Sequence, residues 1–443
     1  MRMSKKLVKD ALNPDKEPVV NPYAHPNMRS AILMLIVAAF FLFYLFLSEH
    51  GIWGTSSPLS PSTKVTSVGY GVTLVPYLIA IVLFQLPIAF MIDDLGPNRV
   101  STIVMGVCTI GIFLMGFNQS GIPLAFPLLI MGIGASVTYA NIGKMISNWF
   151  QPRRFPFFLG MALCIGHIGA AIGQPIINFL IKHYKWNLVL RDLGLIGMIY
   201  TLVYLILMRA SSNQSGYNAN VSSKRKVETK KFFIKAIKNR SNWFLAISFG
   251  VLEGTRMKFI ALSHIQYYKI ANSTPGSVGI NITMYTLLAF SAGLLFFGWL
   301  AQFVKKRKLV IILGSVISST LLTLAIYFPH FHISVIVTLM CVSTFFAGAI
   351  FLVFTLIHEK NHTKVTATVI SMVVVCIGFF RGLHEILVRF ILSEVSVGNE
   401  SGKLFLTAGD FQLVFLMIPI SLLISLVFLG MVKDSYGNQL RLL

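Results

Sequence analysis

Runs of about twenty predominantly apolar residues recur along the whole of this 443-residue chain, and a helix of that length spans the hydrocarbon of a bilayer. Twelve such runs can be read, near residues 29–50, 68–92, 99–117, 121–147, 155–181, 190–208, 243–267, 278–301, 308–329, 332–357, 365–392 and 409–432. Composition points the same way, with 55% hydrophobic and only 12% charged residues, about half the charge of a soluble domain. The reading is an all-α membrane protein of twelve transmembrane helices, with the lipid bilayer as its solvent.

The connections are as informative as the spans. Between the second and third lies Asp93-Asp94-Leu95-Gly96-Pro97-Asn98-Arg99. Charges in hydrocarbon cost about 2.5–3.5 kcal/mol each even on the lenient scale, so this segment is expected to form a tight, water-exposed turn. Short charged turns at this place in a long series of spans point to a secondary transporter.

A net charge of +22 would suggest nucleic acid in a soluble chain. Here the question is which loops carry it. With the N-terminus inside, 26 of the 37 Lys and Arg fall on the cytoplasmic side, 6 on the outer side and 5 within spans. Both termini are therefore expected in the cytoplasm of a bacterial-type inner membrane, and no nucleic-acid partner is expected. Cys108, Cys164, Cys341 and Cys376 all sit in apolar runs and read as packed small hydrophobes rather than disulfides or metal ligands. The first run is too long for a cleavable signal.

The domain plan follows: a tail at 1–28, a six-helix bundle at 29–208, a basic linker at 209–242, a second bundle at 243–432 and a tail at 433–443. The linker carries nine basic residues between Arg209 and Arg240 against Glu228 alone. Its second half is either an amphipathic helix on the membrane surface or a basic spacer that enforces topology. Gln302–Lys308, after the eighth span, echoes Asp93–Arg99, as expected of two repeated halves.

These residues resemble the major facilitator superfamily. Its signature after the second span is a Gly, three residues, an Asp, a basic residue, any residue, a Gly and a basic cluster. Asp93, Gly96 and Arg99 match in spacing, while Ala89 stands for the first Gly, Asp94 for the basic residue, and Pro97-Asn98 dilute the cluster. The resemblance implies a gating role for Asp93, Gly96 and Arg99; a plain tight turn is the alternative. Trp149-Phe150-Gln151-Pro152-Arg153-Arg154, followed by Gly160, Gly166, Gly169, Gly173 and Pro175, is most similar to the branch moving monocarboxylates, oxalate and other organic anions. The glycines form a bare helix face that a neighbour can approach closely. Drug exporters of the family carry an Arg four residues before a Gly-x-Gly in the fourth span and a Gly-Pro in the fifth. Here Leu128 precedes Gly132-Ile133-Gly134, and Gln174 separates Gly173 from Pro175.

Ionisable residues at bilayer depth need something to offset their desolvation. The seventh span carries Glu253, Arg256, Lys258 and His264. Glu253 and Arg256 can pair across three residues, His264 returns to nearly the azimuth of Glu253, and Lys258 points elsewhere unless Gly254 breaks the helix. The eleventh span carries Arg381, His384, Glu385 and Arg389. In one reading Arg256 and Arg381 grip carboxylate or phosphate oxygens, while Glu253, Glu385 and His384 handle the coupling proton. In the other, Glu253–Arg256 and Arg381–Glu385 merely neutralise each other. Five cations counted against two acids within the spans favour an anionic substrate, unless Lys144 and Arg389 snorkel to the interfaces. His167 is either a hydrogen-bonded structural imidazole or a proton-sensitive contact. Tyr139, Asn281 and Tyr285, with Tyr44 and Tyr77, are polar residues that line a cavity or simply pack.

The expectation is thus a monomeric secondary transporter without cofactor or metal, taking up an organic anion with a proton by alternating access. The nearest rivals move a siderophore, drug or amino acid in either direction. A rival of another class is an intramembrane metalloprotease, because His358-Glu359-Lys360-Asn361-His362 is a literal H-E-x-x-H. That segment leaves the tenth span for a short loop, so a charged helix end is the plainer reading.

Overall fold

The computed structural model describes residues 28–54, 67–117, 121–136, 138–214, 223–260, 264–273, 276–395, 397–398, 404–405 and 407–435. The expected N-terminal tail, most of the C-terminal one and residues 215–222 of the linker lie outside them. The first half consists of α1 (Met28–Gly54), α2 (Ser67–Leu95), α3 (Pro97–Met115), α4 (Gly121–Ala135), α5 (Thr138–Trp149), α6 (Phe155–His183) and α7 (Trp186–Gln214). A linker helix, α8 (Ser223–Lys238), leads into the second half. This comprises α9 (Arg240–Lys258), α10 (His264–Asn272), α11 (Gly276–Leu300), α12 (Arg307–Tyr327), α13 (Ile333–Ala347), α14 (Leu352–Glu359), α15 (Thr366–Val395), α16 (Ala408–Phe415) and α17 (Met417–Gly430). Among the described residues the only strands are Val397–Gly398 and Leu404–Phe405, an antiparallel pair between α15 and α16.

Among the described residues, eleven helical segments are long and apolar enough to span a bilayer. The seventh falls short of that measure because Glu253, Arg256 and Lys258 crowd the end of α9. It crosses nonetheless. The start of α9 lies beside Asn361 at one face, where the Asn242 and Asn361 amides pair at 2.8 and 3.0 Å. Tyr268, in α10, bonds the Ala325 carbonyl near the far end of α12 at 2.9 Å. Gly254 does not break this helix; a Cβ there would meet the Arg381 backbone nitrogen of α15 at 2.9 Å. The interruption comes later, where the backbone widens into a π-type turn at 259–260. His264 therefore does not continue the azimuth of Glu253. Its ring is buried against the carbonyls of Phe259 and Gly279.

The bundle is apolar outside and carries its polar groups within, as lipid demands. Leu83, Ile103, Phe126, Ile206 and Leu423 are 63–67% exposed. The glycine face of the fifth span is a packing seam: side chains at Gly166, Gly169 and Gly173 would strike Leu42, the Phe43 carbonyl and the Leu47 carbonyl of α1. The two halves meet where α6 packs on α11, and where α2 and α5 pack on α15. Gly160 and Gly298 allow the first crossing, since a Cβ at Gly160 would lie 2.5 Å from the Leu294 carbonyl.

Candidate functional site

The α2–α3 connection is built by one conformational requirement. Gly96 has φ 93°, a left-handed backbone that a side chain resists, and Pro97 then starts α3 with its φ already fixed. The turn is not uniformly water-exposed as expected. Leu95 and Arg99 are exposed, but Asp93 is buried. It can be buried because it is satisfied from every side. Lys144, from α5, lies 2.7 Å away. The carboxylate also accepts the N–H groups of Ala367 and Thr368 at 3.2 and 2.9 Å, and the Thr368 hydroxyl at 2.7 Å. These amides open α15, where helix donors have no partner within the helix and the dipole is positive.

Lys144 does not snorkel. It is buried, and besides Asp93 it donates to the carbonyls of Thr363 and Lys364 at 2.8 and 2.9 Å. Two first-half charges thus grip the start of a second-half helix. Nearby, Gln85 donates to Ser371 at 2.8 Å, Ser147 meets Thr366 at 3.1 Å, and Phe155 stacks on His358 at 4.0 Å. All lie at the face occupied by α8, here termed the linker face. Burial along α15 shows the consequence. Residues 365–374 are all buried, whereas Phe379, Leu383, Ile386 and Phe390, further along, are exposed. The polar contacts between the halves named here thus cluster at the linker face.

Arg381 lies further along α15. Its side chain is 36% exposed, and its nearest acid is Glu49 of α1 at 3.6 Å. Glu49 also lies beside the Tyr77 hydroxyl. Glu49 was overlooked in the sequence because the first apolar run ends at its edge; α1 continues to Gly54. An acid followed by a full helical turn was the signal that could have found it.

Arg256 is engaged differently. Its Nε and Nη2 donate to the two Glu253 oxygens at 2.9 and 2.6 Å, and both residues are buried. The guanidinium lies 4.8 Å from the Phe290 ring centre, and that ring also packs on His167 at 4.7 Å and Phe351 at 5.2 Å. His167 is buried, with Nδ1 2.9 Å from the Leu163 carbonyl, and also packs on Phe46 at 4.8 Å. Tyr139 completes this aromatic layer, between Phe46 and Phe354 at 5.8 Å each. Tyr139 sits five residues before Lys144, which places the layer about 7 Å above the Asp93 contact.

Other expected residues fall elsewhere. Asn281 and Tyr285 share the exposed stripe of α11 with Leu288, Leu295 and Trp299, so the structure does not bring them to Arg381. Tyr44 bonds the Leu193 carbonyl at 3.0 Å, which is packing within the first half. His384 is buried and Glu385 half-buried, beyond Arg381 on α15. The side chains of Lys258 and Arg389 are outside those described. The expected excess of cations within the spans is largely neutralised, because Lys144, Arg256 and Arg381 each face an acid. As for H-E-x-x-H, α14 ends at Glu359, which pairs with Arg307 at 3.2 Å. His362 caps the next turn and stacks on Phe232 at 4.5 Å. His358 and His362 do not share a helix face.

Residues 31–268 match the sequence profile of the Major Facilitator Superfamily. The chain belongs to the major facilitator superfamily. As a member of that superfamily it is a secondary transporter and not an enzyme. The uncharacterized transporter YybO of Bacillus subtilis is 21% identical over 84% of this chain and 86% of its own length. The probable galactarate/D-glucarate transporter GarP of Escherichia coli is 20% identical over 67% of this chain and 73% of its own. The crystal structure of the superfamily transporter FucP, in the outward conformation, aligns with a TM-score of 0.62 at 13% identity, covering 91% of this chain and 99% of that one. This last likeness establishes the twelve-span superfamily fold.

Proposed function

We propose that this transporter takes up a small organic anion, of the acid-sugar or a related carboxylate class, together with a proton. The observation that carries the reading is Arg381: a guanidinium 36% exposed, whose ion-pair partner among the described residues is Glu49 at 3.6 Å. A substrate carboxylate would displace Glu49 and accept two Arg381 N–H donors bidentately. Glu49, left as an unpaired charge in a partly buried position, would lie several kcal/mol uphill, a cost that a proton removes. Substrate and proton would then load together. Arg256 is a poorer substrate contact, because Glu253 already occupies its fork. The name of the GarP relative supports an acid-sugar cargo.

With the basic linker face in the cytoplasm, the site is open to the outside. Asp93, Lys144 and the start of α15 form the closed gate, and Gly96 gives the turn its shape. The test is uptake into proteoliposomes under an imposed pH gradient, with hexarates and hexuronates as probes. Arg381→Ala should bind the substrate about thirtyfold more weakly or worse. Glu49→Gln should keep substrate exchange but lose proton-driven accumulation. Normal accumulation by either variant, at normal membrane expression, would overturn the assignment.

A further inference from the structure

Away from the gate and the central charges, a cleft of distinct chemistry lies among the described residues. Between the start of α12 and the end of α17, at the linker face, lies a cleft of about 760 Å³ lined by Lys306, Lys308, Lys433, Leu309, Ile312 and Met431, among others. Its rim is basic and held in place. Lys308 donates through Nζ to the carbonyls of Gly430 and Val432 at 3.0 and 2.9 Å, and its backbone N–H reaches Asp434 at 3.1 Å. Lys360 bonds the Lys433 carbonyl at 2.7 Å. Asp434 is the acid on this rim, since Glu359 is taken by Arg307 and Ser435. Burial, with Lys308 and Lys433 alongside, holds the Lys360 ammonium below the usual lysine range despite Asp434. Lys306 and Lys433 are exposed.

Below the rim the chemistry changes to hydrocarbon. Leu309, Leu313 and Val316, at helical spacing on α12, are 47, 53 and 37% exposed. Met431, Val427 and Leu423 on α17 are 59, 58 and 64% exposed. Two exposed apolar stripes thus start at a cationic pocket, because Leu309 and Met431, the first residue of each, line it. A soluble anion would use the pocket and ignore the tracks; a neutral lipid would do the reverse. Basic pockets between membrane helices recognise anionic head groups.

We propose that this cleft binds one anionic phospholipid, its phosphate between Lys306 and Lys433 and its acyl chains along the α12 and α17 tracks. The inference is independent of the cargo and of the coupling ion. The purified full-length protein in detergent would be titrated with phosphatidylglycerol, phosphatidylcholine or glycerol phosphate, following melting temperature and, by native mass spectrometry, lipids retained. Phosphatidylglycerol should raise the melting temperature and leave one tightly held molecule, and the other two should do neither. Lys306→Ala with Lys433→Ala should weaken that molecule about thirtyfold. The same change at exposed Lys230 and Lys231 of α8 should leave it in place. An equal response to phosphatidylcholine, an equal response to glycerol phosphate, or unchanged retention in the Lys306/Lys433 variant would each overturn the proposal. If that variant unfolds, Lys433→Glu alone, at a fully surface position, makes the same discrimination.

Discussion

Asp93 and Lys144 show how much a single buried pair governs when it lies between two moving bodies. Neither side chain has water to fall back on, so removing one partner leaves a buried charge worth about 3–5 kcal/mol. Because the same carboxylate closes the first turn of α15, that penalty falls on the closed state. Asp93→Asn should therefore open the linker face. In a background keeping only Cys376, which is buried here, its thiol should be labelled faster by a reagent supplied from that face. Asp93→Asn with Lys144→Met removes both charges and should recover much of the closure. Equal labelling in wild type and Asp93→Asn would mean that the contact is incidental. Asp93, Gly96 and Arg381 were legible in the sequence because charge and glycine are conspicuous in apolar surroundings. Lys144 reads in the sequence only as a charge free to snorkel, because its meaning comes from Asp93 on another helix, and pairing at that range leaves no local pattern.

At the scale of elements, apolar length located the spans but not their interruptions. The fourth span divides into α4 and α5 and the tenth into α13 and α14, with a tightened turn at Gly348–Phe351; hydropathy is blind to both. The linker shows the opposite limit. Its sequence fitted either a surface helix or a spacer, and α8 is a helix whose aromatic face docks on protein from both halves. Phe233 meets Phe90 of α2 at 5.0 Å, while Phe232 stacks on His362 beyond α14 and lies 5.7 Å from the Lys364 ammonium. Lys230, Lys231, Lys235 and Lys238 face outward. Helix α8 is thus a strap across the closed face, and each aromatic contact is worth about 0.5–1.5 kcal/mol beyond its buried area. Phe232→Ala with Phe233→Ala should release it, seen as faster amide exchange over residues 229–238 with little change in the exchange of α6 or α11. Unchanged exchange over those residues would show that the strap is held by something other than its two rings.

For the whole molecule, alternating access requires the contacts that close one face to break while the rest of each half moves as a body. The distribution of inter-half contacts makes that division concrete. Gln85–Ser371, Ser147–Thr366 and the Asp93 cluster lie at the linker face, whereas Arg381 and Glu49 stand above the aromatic layer of Tyr139, Phe354 and Phe46. A covalent link at the first of these should hold the linker face shut and leave the site open from the other side. In a cysteine-free background, Gln85→Cys with Ser371→Cys, bridged by a short bifunctional thiol reagent, should abolish net transport. Substrate binding should survive, and a reducible reagent should restore transport on reduction. Loss of binding together with transport would place the substrate site below the aromatic layer and remove Arg381 from it. Persisting transport in the fully bridged protein would show that these two helices do not separate during the cycle, and the closed face would then lie elsewhere.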